Sequence, residues 1–153
     1  ALALFVLLAG CNSYKLSKAV PPVKGKLRTQ YVMRVIEVAP GTGKPYEPGK
    51  LLKVHYTGYL RDGTKFDSSR DRDKPFEFEQ GKRKVIPGFD NCCEGLRVGG
   101  KRRLIIPYQN AYGEKGRQPK IPAKSELIFD IELLDVLEPP PAPSSSAQNS
   151  ITS

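Results

Sequence analysis

The chain has 153 residues, 39% of them hydrophobic, with 25 Lys plus Arg against 16 Asp plus Glu and a net charge of +9. This length fits one domain with one modest core, and a single His with no C-x-x-C pair argues against a zinc or redox centre. The basic runs 24–28 (KGKLR), 82–84 (KRK) and 101–103 (KRR) are dispersed and lack a zinc finger, a basic-aromatic platform or a long recognition helix. They therefore read as a solvated basic face with no specific nucleic-acid partner.

The first nine residues, ALALFVLLA, are apolar and uncharged, about half of what a membrane-crossing helix needs. They are similar to the hydrophobic part of a secretory signal without its Met and basic leader, so the start of the chain is expected to be truncated. Leu8-Ala9-Gly10-Cys11 resembles a bacterial lipoprotein box. That resemblance implies removal of residues 1–10 and acylation of Cys11 by palmitate-type chains. The protein would then be lipid-anchored in a bacterial cell envelope, facing the periplasm or the exterior. An apolar buried strand and an ordinary cleaved signal are the other readings. Residues 11–30, polar and basic with Pro21-Pro22 and Gly25, read as a flexible tether.

The folded domain is expected over 31–137. YVMRVIEV (31–38), KLLKVHYTGYL (50–60), KPFEFEQG (74–81), GKRRLIIPYQ (100–109) and SELIFDIELLDVL (125–137) carry strand patterns. Leu52, Val54, Tyr56 and Gly58 share one face, as do Phe76 and Phe78, and Leu127, Phe129, Ile131 and Leu133. Asp62-Gly63 suits a tight hairpin turn. Only VIPGFDNCCEGL (85–96) suggests a helix, with Ile86, Phe89, Cys93 and Leu96 on one apolar stripe and Pro87 in the first turn. The fold class is α+β, a strongly bent antiparallel sheet with one short helix against its inner face. Of the adjacent Cys92 and Cys93, one thiol is expected to be buried and one partly exposed, without a relaxed disulfide between them. Residues 138–153, rich in Pro and Ser, have the composition of a disordered tail.

Enzyme templates based on a nucleophile fail. GTG at 41–43 lacks the P-loop lysine pattern, Ser68 and Ser69 have no His nearby in sequence, and His55 reads as a structural or exposed residue of a strand. Asp71, Asp73, Glu77 and Glu79 read as surface acids. What stands out is a stock of aromatics on inward faces: Tyr56, Phe66, Phe76, Phe89, Tyr112 and Phe129. A small core needs such residues. Yet the Tyr56 and Tyr112 hydroxyls and the Asp67 charge need partners when buried, and a concave aromatic surface with a few fixed polar groups also describes a ligand site.

Six segments carry a family resemblance: Tyr56-Thr57-Gly58, Phe66-Asp67-Ser68-Ser69-Arg70, Val85-Ile86-Pro87-Gly88-Phe89, Ala111-Tyr112-Gly113, Ile121-Pro122 and Leu127-Ile128-Phe129-Asp130. In this order and spacing they resemble the FK506-binding family of peptidyl-prolyl cis-trans isomerases over about residues 31 to 137. The resemblance implies a five- or six-stranded antiparallel half-barrel wrapped around one short helix. It also implies rotation of X–Pro bonds without a cofactor or metal, proline-containing polypeptides as substrates and macrolide inhibitors as candidate ligands. Carried over to this chain, Phe89 would form the floor under the proline ring, with Tyr56, Phe66 and Phe129 as sides. Phe76, Val85 and Ile121 would complete the binding surface. The Ile86 backbone N–H and the Tyr112 hydroxyl would hold substrate carbonyls. Asp67 would accept a hydrogen bond from Tyr56 beside the twisting amide, balanced by Arg72.

The chain departs from the family pattern at three places. Phe89 stands where Trp is common, Arg117 where His is common and Lys120 where an apolar residue is common, which makes the rim more basic. With no long dimerising helix in view, a monomer is the expected form. The rival reading from another class is a non-catalytic, membrane-tethered module that docks proline peptides.

Overall fold

The alternating apolar pattern builds nearly the whole domain. The computed structural model describes residues 17–30 and 33–142, so the expected signal segment and Cys11 lie outside the described residues, as does most of the expected tail. Among the described residues seven strands form one antiparallel sheet: β1 (Lys26–Gln30), β2 (Met33–Ala39), β3 (Leu51–Leu60), β4 (Lys65–Ser68), β5 (Phe76–Glu79), β6 (Lys101–Ile106) and β7 (Leu127–Leu137). Their order is β1-β2-β6-β7-β3-β4, with β5 pairing the first half of β3. Helix α1 (Pro87–Asp90) lies between β5 and β6, and one 3₁₀ turn, Tyr108–Asn110, follows β6. The α+β class stands, with more strands than the five or six expected.

The inner face holds the main core. Leu52, Val54 and Tyr56 of β3 meet Leu127, Phe129, Ile131 and Leu133 of β7, and Phe89, Cys92, Cys93 and Leu96 close over them. Tyr56 pairs with Ile131 and Gly58 with Phe129 across the β3–β7 ladder. The helix is shorter than the stripe over 85–96 suggests. Pro87 starts it, and after Asp90 the chain continues in turns with φ +79 at Gly95. The stripe survives without the helix, because the turns after α1 still deliver Cys93 and Leu96 to the core. At Gly88 a Cβ would stand 2.4 Å from Ile106 Cγ2, so the helix start can rest on β6 only through a residue without a side chain.

Three expectations need correction. Cys92 and Cys93 are both fully buried, neither being partly exposed, with their sulfurs 3.2 Å apart as free thiols. Two arginines of the 101–103 run are not solvated. Arg102 is 2% and Arg103 1% exposed, because their guanidinium groups find fixed acceptors. Arg102 reaches Glu37 at 2.7 Å and the carbonyls of Cys92 and Glu94 at 2.9 and 2.8 Å. Arg103 binds both oxygens of Asp130 at 2.5 and 2.6 Å and the Pro21 carbonyl at 2.6 Å. Finally, the described part of the expected tether is docked. Its β1 extends the sheet beside β2, and Val20 joins Ile105 and Ile128 in a second, smaller cluster. That cluster explains why Ile128 is buried although it alternates with Leu127 and Phe129.

Candidate functional site

Two neighbouring strands bring the polar part of the site together. In the β3–β4 hairpin Gly58 pairs with Asp67 and Thr57 with Ser68, after a turn at Asp62-Gly63 where the Asp62 side chain accepts from the Thr64 N–H at 2.9 Å. Ser68 and Ser69 bury their hydroxyls against the β3 backbone. Ser69 Oγ accepts from the Tyr56 N–H at 2.9 Å, and both hydroxyls donate to the Tyr56 carbonyl, at 3.1 and 3.2 Å. His55 Nδ1 also lies 2.9 Å from Ser69 Oγ, a contact the sequence separation hides. Ser69 is fully buried and committed to backbone, so this pair is structural and no nucleophile.

This framework aims the Tyr56 ring inward. Its hydroxyl donates to Asp67 Oδ2 at 2.5 Å, while Arg72 donates to Asp67 Oδ1 at 2.5 Å and to the Tyr56 oxygen at 2.9 Å. Partial burial pushes the Asp67 carboxyl up, but the Tyr56 hydroxyl and the Arg72 guanidinium outweigh it and hold the group below its ordinary value. Burial, followed by the Asp67 bond, raises Tyr56, so its phenol keeps the proton it donates.

Beneath them lies Phe89. Its ring meets Tyr56, Phe76, Phe78 and Phe129 at centroid distances of 5.6, 6.1, 5.4 and 5.2 Å, each close to edge-on. It is 4% exposed, yet it floors a hollow of about 200 Å³ also lined by Tyr56, Phe66, Asp67, Phe76, Val85, Ile86, Tyr112 and Phe129. Thus the floor is covered on its sides and open above. Gly58 makes the room: a Cβ there would come within 2.6 Å of the Phe66 ring and 3.0 Å of Phe129.

Among the described residues the Ile86 N–H has no acceptor, since only its carbonyl is used, by the Phe89 and Asp90 N–H groups. Tyr112 follows the 3₁₀ turn. Its hydroxyl accepts from Arg117 Nη1 at 3.3 Å, and the Arg117 guanidinium lies 5.6 Å from its ring centre.

Ile121 does not line this hollow. It lies in an adjoining one of about 310 Å³, shared with Phe66, Asp67, Tyr112, Arg117 and Lys120. Arg72 stands at the edge, between Asp67 and a further surface cleft that includes Phe76. Lys84 is a lining residue that the sequence reading did not single out. Its place in the KRK run beside Val85-Ile86 was the available signal. No group of His, Cys, Asp and Glu among the described residues could hold a metal ion.

The chain is similar to known proteins over this same region. The model of the FKBP-type peptidyl-prolyl cis-trans isomerase family matches residues 43–134. Peptidyl-prolyl cis-trans isomerase Fkbp12 of Drosophila melanogaster is 50% identical over 105 residues, covering 68% of this chain and 97% of the fly protein. An FK506-binding protein of Neisseria meningitidis is 48% identical over 98 residues, covering 64% of this chain and 90% of its own length. Among solved structures, AtFKBP13 matches with a TM-score of 0.67 and 35% identity over 72% of this chain and 98% of that one. FkpA from Escherichia coli matches with a TM-score of 0.69 and 36% identity over 76% of this chain and 54% of that one. The chain therefore belongs to the FKBP-type peptidyl-prolyl cis-trans isomerases.

Proposed function

We propose that this protein accelerates cis-trans rotation of X–Pro bonds by seating the proline ring over Phe89. The observation that carries the reading is the open aromatic hollow above that ring, with Asp67, Ile86 and Tyr112 at its edge. Resonance keeps the amide planar behind a barrier of about 18–20 kcal/mol. Water favours the planar, charge-separated form, so transfer to an aromatic wall removes part of that advantage. A thousandfold acceleration needs about 4 kcal/mol of preferential transition-state stabilisation, a sum within reach of desolvation and a few fixed hydrogen bonds.

The polar groups divide the work. The Ile86 N–H is available to one substrate carbonyl. The Tyr112 hydroxyl, whose oxygen already accepts from Arg117, keeps its proton for another. Asp67, tied to Tyr56 and Arg72, acts as a fixed negative group beside the twisting amide and transfers no proton. Macrolide ligands of the FK506 type would occupy the same hollow, with an affinity altered by Phe89 and the basic rim. A protease-coupled proline-peptide assay tests this reading: the chain should exceed the spontaneous rate, and Asp67→Ala and Tyr112→Phe should each lower kcat/KM at least several-fold. An unaccelerated rate would leave only a proline-docking module.

The proposal extends to the cell. The Leu8-Ala9-Gly10-Cys11 stretch supports an anchor through acylated Cys11, which would direct the activity to envelope or secreted proteins. Mass spectrometry of the mature N-terminus from a bacterial host should find lipid on Cys11. An unmodified Cys11, or retention of residues 1–10, contradicts the anchor.

A further inference from the structure

The mouth of the hollow carries charge that the described residues do not answer. Lys84 and Arg117 line the hollow over Phe89, and Lys120 joins Arg117 around the adjoining one. All three are exposed, and none pairs with a carboxylate among the described residues. Lysines elsewhere on the same surface do find acids: Lys65 meets Asp71 at 2.7 Å, Lys124 meets Glu114 at 3.1 Å and Lys53 meets Glu77 at 3.7 Å. Among the described residues, the one acid lining either hollow is Asp67, and its two oxygens already serve Tyr56 and Arg72. A bound peptide would therefore meet three cations without a free counter-charge.

Arg117 is also held in place. Its guanidinium stacks on the Tyr112 ring and bonds the Tyr112 hydroxyl, so a ligand carboxylate meets a cation that has already lost much of its freedom. Low-dielectric walls strengthen the field of such charges within a cleft. We propose that this site selects X–Pro segments with a carboxylate next to the proline, and that Arg117 and Lys84 are the residues that set this preference. The inference rests on the isomerase reading above and names the substrate class that it leaves open.

Exchange NMR on the full chain with matched peptides tests it. One set carries Glu, Gln or Lys before the proline, and a second set varies the residue after it. In at least one set, kcat/KM for Glu should exceed that for Gln by about 3- to 10-fold at low ionic strength, with Lys below Gln. The gap should appear mainly in KM and close in about 0.5 M salt, where charges are screened within about 5 Å. K84Q and R117Q should each reduce the Glu-to-Gln ratio, R117K should largely keep it, and R117E should push it below one. A ratio near one in both sets at low salt, or a ratio that survives the K84Q/R117Q double variant, overturns the inference. If every peptide turns only at the spontaneous rate, the isomerase reading fails. Chemical-shift titration of the same peptides then decides whether binding still follows charge.

Discussion

The Tyr56 hydroxyl donates to Asp67 Oδ2 at 2.5 Å, a bond that ties β3 to β4 while the Tyr56 ring leans edge-on against Phe89. One hydrogen bond thus fixes both the polar edge and one wall of the hollow. Tyr56→Phe removes it, leaving Asp67 to Arg72 and the Ser68 backbone N–H. Because Asp67 is partly solvated, the fold should lose only about 1 kcal/mol, whereas kcat/KM should fall about tenfold as the carboxylate loses its orientation. Urea unfolding and the peptide assay read the two effects separately. Equal loss of both would mean that the bond is merely structural.

The same contacts set an acid limit. Asp67 titrates below its unfolded value of about 4. Its contribution to stability is therefore complete above that value and is lost as pH falls through the lower folded one. Activity should stay level from about pH 5 to pH 8 and drop only below about pH 4. In Arg72→Gln the drop should begin at higher pH, since one of the groups holding the carboxylate down is gone. A pH profile of kcat/KM checks this, and a limb near neutrality would point to a different group.

Gly58→Ala should damage site and fold together. The added methyl would press on Phe66 at 2.6 Å and Phe129 at 3.0 Å, two walls of the hollow. Overpacking of this kind costs about 1–3 kcal/mol, and the displaced Phe66 should raise KM. Denaturant midpoints and peptide kinetics give the answer. Unchanged values for both would show that the walls yield freely.

Buried Cys92 and Cys93 should be inert in the native state. Burial, with the Cys93 contact next, pushes the Cys92 thiol well above its ordinary value, and the thiolate is the reactive form. Labelling of these two thiols at neutral pH, read apart from Cys11 by peptide mapping, should be slow and should track unfolding as denaturant is added. Rapid labelling of Cys92 or Cys93 in the native chain would contradict the burial.

Much of this was legible from side-chain alternation. The inward faces of β3 and β7 follow directly from the spacing of Leu52, Val54, Tyr56 and of Leu127, Phe129, Ile131, Leu133. Helix length was not legible, because the apolar offsets of Phe89, Cys93 and Leu96 are met equally well by four helical residues and a series of turns. Nor was the outer face. Arg102 and Arg103 look solvated until the sheet places Glu37 and Asp130 beside them, and Val20 gains its partners only once the preceding segment folds back. Within the site, the His55–Ser69 contact depends on a chain reversal that no local pattern reports, whereas Lys84 was readable from its place beside Val85-Ile86.

The central claim is that a proline ring sits on Phe89 while its amide turns. Exchange NMR with an X–Pro peptide, combined with intermolecular nuclear Overhauser contacts, tests this most directly. Contacts from the proline ring protons to the Phe89 and Tyr56 rings, with cis-trans exchange far faster than in the free peptide, are the predicted result. Accelerated exchange with the proline lodged elsewhere, or contacts to Phe89 at the spontaneous rate, would contradict it.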